Sequence, residues 1–176
     1  SQVAGCASVD RKRHSLRIEH GWKQLPWLEA KVSFFNAAYP YTPSSITQRT
    51  QQLNGKPYRS YSWYSRRLIG LDHVLYAPKH EVYKHLTPFG VWLLFLDNGS
   101  YIRHRSRHTV TFAVENDDEA RGLIRHLKSY GYRFQPSGRK IQLNHSSEAI
   151  RFVKEFGEQF RQLTPLSMHY KTSVKV

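Results

Sequence analysis

Apolar positions recur with two different periods along this chain. Between Pro26 and Ala38, Leu28, Val32 and Phe35 recur at helical spacing with Phe34 beside them, and Pro40 and Pro43 close the segment. Val3 to Val9 and Ser15 to His20 read instead as short strands around the basic tip Asp10-Arg11-Lys12-Arg13-His14. Ile46 to Gln52 and Tyr58 to Arg66 form a second strand pair, joined through Asn54-Gly55, a strong hairpin signal. Alternation places Arg59, Tyr61, Trp63 and Ser65 on one face and Tyr58, Ser60, Ser62 and Tyr64 on the other. Neither face is cleanly apolar, so which one meets a ligand stays open. Leu71 to Ala77 fits a short helix, and Pro78 to His85 a link.

The same order then returns. Tyr101 to Arg107 and Thr109 to Val114 read as a hairpin. A helix comes next, capped by Asn116 with Glu119 three residues on, lined by Ala120, Leu123, Ile124 and Leu127, and stopped by Gly131. Tyr132 to Gln135 and Arg139 to Asn144 make another hairpin. A last helix from Ser146 or Ser147 is expected to bury Ile150, Val153, Phe156 and Phe160 before Pro165. The repeat is one of elements, not of visible sequence, and it predicts two halves, 1–85 and 86–176.

Between the halves lies Leu86-Thr87-Pro88-Phe89-Gly90-Val91-Trp92-Leu93-Leu94-Phe95-Leu96-Asp97-Asn98-Gly99-Ser100. Thr87 can cap a helix and Pro88 suits its first turn. The helix is apolar on nearly every side, so it must be buried on nearly every side. The segment resembles the signature helix of the LAGLIDADG homing endonucleases, in the subgroup whose second motif starts Leu-Thr-Pro and ends Asp-Asp-Gly-Ser. Gly55-Lys56-Pro57-Tyr58-Arg59-Ser60-Tyr61-Ser62-Trp63 resembles the strand preceding that motif, and Leu166-Ser167-Met168-His169-Tyr170-Lys171 the closing segment. Ser1 to Glu29 resembles the stretch after the family's first motif, whose own helix is absent from the chain.

The resemblance implies an α/β (α+β) fold of pseudo-twofold design, with antiparallel, saddle-shaped sheets backed by helices. It also implies two signature helices side by side, each ending in an acidic residue that holds a divalent metal over DNA. Here the residue before Gly99, the usual ligand, is Asn98, an amide without negative charge; Asp97 stands one position earlier. Asp97 and Asn98 are therefore the catalytic candidates, and the expectation is a lost site or one in which Asp97 has become the ligand. Successive helical side chains point about 100° apart, so that takeover is not geometrically free. No cofactor is expected unless catalysis survives, in which case Mg²⁺ is. With one signature helix present, Val91, Trp92, Leu94 and Phe95 are expected to form a seam. A second copy, another protein or Leu71 to Ala77 would cover it.

Charge narrows the partner. Twenty-seven Lys and Arg face thirteen Asp and Glu, a formal net charge of +14, which points to a polyanion. No apolar run approaches the roughly 18 residues needed to cross a bilayer, and no secretory signal is visible. A membrane partner is thus not expected, and the protein reads as intracellular, with an organelle one option. The single cysteine, Cys6, excludes an intramolecular disulfide. Ten histidines show no ligand spacing, and His104 and His108 fit phosphate contact within an arginine-rich hairpin.

Candidate nucleic-acid contacts are Arg11, Lys12, Arg13 and Arg59, then Arg103, Arg105 and Arg107, which alternation puts with Tyr101 on one strand face. Lys140, Gln142 and Asn144 join them, opposite Ile141 and Leu143, as does Lys171. Two kinds of function fit. One is non-enzymatic binding of RNA, as a maturase-like intron helper or a ribonucleoprotein component such as that of an organellar ribosome. The other is a site-specific double-strand DNA endonuclease completed by a first motif on another chain. A transcription regulator on DNA is a third use of the same fold.

Overall fold

The computed structural model describes residues 7–10, 15–39, 45–53, 55–65, 68 and 76–171. The chain divides into two compact units, Ser1–Ala77 and Pro78–Val176. In the first unit β1 (Ala7–Asp10) and β2 (Ser15–Gly21) lead through a 3-10 turn into α1 (Leu25–Ala38), followed by β3 (Thr47–Leu53) and β4 (Lys56–Tyr64). Pro26 falls in the first turn of α1, where no backbone N–H bond is lost. The strands form one antiparallel sheet, ordered β1-β2-β4-β3. Its apolar face meets α1 through Ile18, Leu28, Val32 and Trp63, with Leu16, Phe35, Ile46 and Tyr61 around them. The question of the two faces is settled here: Tyr61 and Trp63 point to the helix.

The second unit contains α2 (Lys79–Tyr83), α3 (Pro88–Asn98), β5 (Gly99–His104), β6 (Arg107–Ala113), α4 (Asp117–Ser129), β7 (Gln135–Pro136), β8 (Lys140–Leu143) and α5 (Ser146–Gln159). Two 3-10 turns, Arg161–Leu163 and Leu166–Lys171, come after α5. Its sheet is ordered β5-β6-β8-β7, the same path as in the first unit. The repeat read from element order is therefore a repeat of topology. The fold is α+β, with two antiparallel sheets.

The division falls eight residues before the expected 85/86 boundary. The segment read as a link contains α2, which belongs with α4 of the second unit. The Tyr83 hydroxyl bonds to buried Glu119. Gly122 permits the approach, since a Cβ there would lie 2.8 Å from the His80 Cβ. Asn116 caps α4 as expected, its Oδ1 accepting the Glu119 N–H at 2.9 Å. The Glu119 carboxylate reaches one residue further back than a capping box would, to the N–H of Glu115 at 2.6 Å.

An aromatic cluster holds the second unit together. Phe152 of α5 packs edge-on against Phe95 at 5.5 Å and Phe112 at 5.9 Å, and Trp92 stacks on Phe95 at 5.2 Å. Phe152 holds the central place, while Ile150, expected to be buried, is only half-buried. Of the expected seam, Val91, Trp92 and Phe95 are buried within the chain itself and Leu94 is half-buried. Most of Leu71 to Ala77, proposed as a cover, lies outside the described residues.

Glu148, in the first turn of α5, is tied to Arg133. The guanidinium and the Arg133 backbone N–H both donate to its carboxylate, the latter at 3.2 Å. The guanidinium bond holds the Glu148 carboxyl below its usual range. A carboxyl depressed in the folded state stabilises above its unfolded pKa, and that contribution is lost as pH falls through the folded value. The stability of the wild-type chain is therefore expected to fall faster below about pH 4.3 than that of Glu148→Gln. Urea midpoints at pH 6 and pH 3 measure this, and equal losses would disprove it.

Candidate nucleic-acid interface

The foot of α3 is built by three devices. At its start Thr87 Oγ1 accepts the Gly90 N–H at 3.1 Å. In its middle Trp92 Nε1 donates to Thr164 Oγ1 at 2.9 Å, and Thr164 Oγ1 donates to Phe160 O at 2.9 Å. At its end the chain passes into β5 without a loop. Gly99 makes this possible: a Cβ there would lie 2.3 Å from Phe95 Cδ2 and 2.6 Å from Phe95 O. Asp97 and Asn98 thus sit half-buried on the last turn.

Lys171 arrives at this foot from more than seventy residues away. Its Nζ donates to Leu96 O at 2.7 Å, Gly99 O at 2.9 Å and Asp97 O at 3.4 Å. An ammonium has three donors, and here each faces a carbonyl at a helix C-terminus, where positive charge is favoured. Hydrogen bonds to a charged group contribute roughly 1.5–3 kcal/mol. Lys171→Met is therefore expected to lower stability by about 2 kcal/mol, read from its urea midpoint. No change would remove Lys171 from this role.

The second sheet has one helix-facing and one polar face. Val110, Phe112, Ile141 and Leu143 are buried on the first. Register puts Ser100, Ile102 and His104 of β5 opposite Thr111, Thr109 and Arg107 of β6 on the second, with Gln142 and Lys140 beside Thr111 and Ala113. Ser100 Oγ and Thr111 Oγ1 bond each other at 2.7 Å. Asn144 follows β8 and is exposed.

Arg103, Arg105 and Arg107 do not share this face. Arg105 and Ser106 form a two-residue turn, with Arg105 at φ 54°. The turn resets the alternation, so Arg107 joins Lys140 and Gln142 while Arg103 pairs with His108 on the helix-facing side. Tyr101 lies on that side too, its Oη 2.5 Å from His108 Nδ1, and burial raises its phenol above the ordinary value. Ser146 braces the turn, its Oγ accepting the His108 N–H at 3.0 Å.

In the first sheet, Arg59 shares register parity with Tyr61 and Trp63, the helix-facing set, at an exposed stretch of β4. The polar face instead carries Arg17 and Arg49, neither singled out by sequence. Their guanidinium carbons lie 5.6 and 5.9 Å from the centre of the Tyr64 ring. Arg49 also donates to Tyr64 Oη at 3.4 Å, and Arg17 pairs with Glu19. The signal was present: with Leu16, Ile18 and His20 directed inward, Arg17 must point outward. On this face Ser15 Oγ, Arg17 Nε and Ser60 Oγ are buried with no hydrogen-bond partner among the described residues. Arg11, Lys12 and Arg13 lie outside the described residues.

Among the described residues no three His, Cys, Asp or Glu side chains gather into a metal-binding group, and no helix is long and apolar enough to cross a membrane.

No family model and no curated protein matches the sequence. Solved structures do match. The homing endonuclease I-WcaI, bound to its DNA recognition sequence, aligns at TM-score 0.74 and 14% identity over 98% of this chain and 82% of that one. Full-length DUF199/WhiA from Thermatoga maritima aligns at TM-score 0.54 and 14% identity, over 92% of this chain and 56% of that one. The N-terminal LAGLIDADG domain of DUF199/WhiA aligns at TM-score 0.52 and 13% identity, over 92% and 82%. The sheets, the helix-to-strand passage at Gly99 and these similarities together give the chain a LAGLIDADG homing-endonuclease-like fold.

Proposed function

We propose that this protein binds duplex DNA through the polar faces of its two sheets and does not cut it. One observation carries the reading: each sheet buries one face on helices, and the other carries polar side chains, among them Arg17, Glu19, Arg49, Ser60 and Tyr64 in the first sheet and Arg107, Thr109, Lys140 and Gln142 in the second. Arginine, lysine, glutamine, serine and threonine are side chains that meet phosphates and base edges, and the net charge of +14 supplies the attraction. The similar I-WcaI is bound to its DNA recognition sequence, which supports DNA as the partner.

The loss of cutting rests on the donors at the foot of α3. A hard divalent cation requires several oxygen ligands, and carboxylates favour it most. The foot offers one carboxylate, Asp97, and the neutral amide of Asn98. The Lys171 ammonium already takes the carbonyl oxygens of Leu96, Asp97 and Gly99, and its charge opposes a second cation. This donor set does not fit Mg²⁺, and no metal step is assigned to it.

A second reading, RNA binding as a maturase-like factor or ribonucleoprotein component, is favoured by the rings of Tyr58 and Tyr64 on the first sheet's polar face. Such rings can stack on unpaired bases. The test is a titration of the chain with labelled duplex DNA and with folded RNA, followed by incubation of the duplex with Mg²⁺. Salt-sensitive duplex binding without cleavage is expected. Tighter binding to the RNA favours the second reading, and site-specific cleavage refutes the loss of catalysis. Were cutting seen, Asp97→Asn should abolish it if Asp97 has become the ligand.

A further inference from the structure

Ile102, on the edge strand β5, is the one large apolar side chain among the described strand residues that register places on the second sheet's polar face, and it is 50% exposed. Its neighbours along β5 are Ser100 and His104. Its cross-strand partner is Thr109, with Arg107 and Thr111 on either side. Ser100 Oγ and Thr111 Oγ1 share one hydrogen bond at 2.7 Å, which leaves them less available for an outside partner. The face therefore presents an apolar spot at Ile102 beside Thr109, with Arg107 at the next same-face position along β6, Gln142 across from Thr111 and Lys140 farther along β8.

In a nucleic acid, the base-edge group that matches an apolar side chain is the C5-methyl of thymine, displayed in the major groove of B-DNA. That groove is about 12 Å wide and admits a two-stranded β-ribbon. RNA offers no counterpart: uracil lacks the methyl, and the A-form major groove is too narrow for side chains to read. We infer that Ile102, with Thr109, is a specificity-determining residue that reads a thymine methyl in duplex DNA. This rests on the nucleic-acid reading above and narrows it to DNA.

The test begins with a preferred duplex selected by the full chain from a pool of randomised DNA. Each thymine of that duplex is then replaced by deoxyuridine, one at a time, and affinity is measured for wild type, Ile102→Val and Ile102→Ser. At one or two thymines, wild type and Ile102→Val are expected to lose about 3- to 10-fold in affinity, the worth of roughly one methyl buried. Ile102→Ser should bind the thymine duplex as weakly as wild type binds the deoxyuridine one, with no further loss on substitution. Indifference of the wild type to every replacement overturns the inference, as does an equal loss in wild type and Ile102→Ser. If sedimentation shows self-association that Ile102→Ser abolishes, while deoxyuridine has no effect, the residue belongs to a protein interface and the inference fails. If no duplex is enriched but folded RNA binds, this inference fails while nucleic-acid binding stands. If neither binds, both fall.

Discussion

Replacing Arg49, Arg107 and Lys140 together by alanine is expected to weaken duplex binding by about 10²- to 10³-fold at 0.1 M salt. Each lies on a polar sheet face, in register with small or polar partners: Arg49 opposite Ser60, Arg107 opposite His104, Lys140 opposite Ala113. Each phosphate contact contributes about 0.9 to the logarithmic salt slope for B-DNA, and so roughly 0.9 decade of affinity at 0.1 M. Losing three contacts should therefore lower the slope by about 2.7. Arg103 and Arg59 supply the comparison. Both lie on the helix-facing side of their sheets by register, so Arg103→Ala and Arg59→Ala should change the slope by much less. A triple variant with an unchanged slope, or one that Arg103→Ala alone matches, would show that the polar faces are not the contact surface.

The contrast between Arg103 and Arg107 shows where sequence reading ran out. Their even spacing implies one face of one strand, and that inference holds only if the strand is continuous. Asn54-Gly55 announces its turn through residues suited to the left-handed region, and Gly55 adopts φ 74°. Arg105-Ser106 announces nothing, yet Arg105 takes φ 54° and the chain reverses there. The helices were legible because caps and apolar spacing agree: Thr87 with Pro88, and Asn116 with Glu119. In α2 the segment is too short for periodicity to register, and its place is fixed by Gly122, Tyr83 and Glu119 acting together. The polar face of the first sheet became legible only once Tyr61 and Trp63 were seen against α1, since tyrosine and serine give alternation no sign. The contact of Lys171 with the foot of α3 joins residues 72 to 75 apart. No local pattern encodes it. The position of Asp97 and Asn98 at the candidate site was legible, because the element boundary at Gly99 is fixed by local chemistry.

That boundary carries the second large effect. Gly99→Ala is expected to destabilise the chain by about 3 kcal/mol, the upper end of the usual cost of overpacking a well-packed site. Backbone dihedral strain is not the cause, since Gly99 has φ −90°, open to any residue. The cause is contact. The added methyl would lie 2.3 Å from Phe95 Cδ2, 2.6 Å from Phe95 O and 2.9 Å from Phe95 Cα. The ring could turn aside only by disturbing its packing on Trp92, Phe112 and Phe152. The backbone oxygen and Cα could yield only by unwinding the last turn, which would move Asp97, Asn98 and the carbonyls that Lys171 holds. Gly157→Ala is the control. It lies inside α5, and its added methyl would meet only Trp92, at 3.6 Å or more. Alanine there should stabilise by roughly 0.5–1 kcal/mol through helix propensity. For a chain of this size, about 3 kcal/mol corresponds to a fall in Tm of roughly 6–12 °C. Calorimetry on the two variants should thus move Tm in opposite directions. A Gly99→Ala chain as stable as wild type would mean that α3 does not pass directly into β5, and the placement of Asp97 and Asn98 would fall with it.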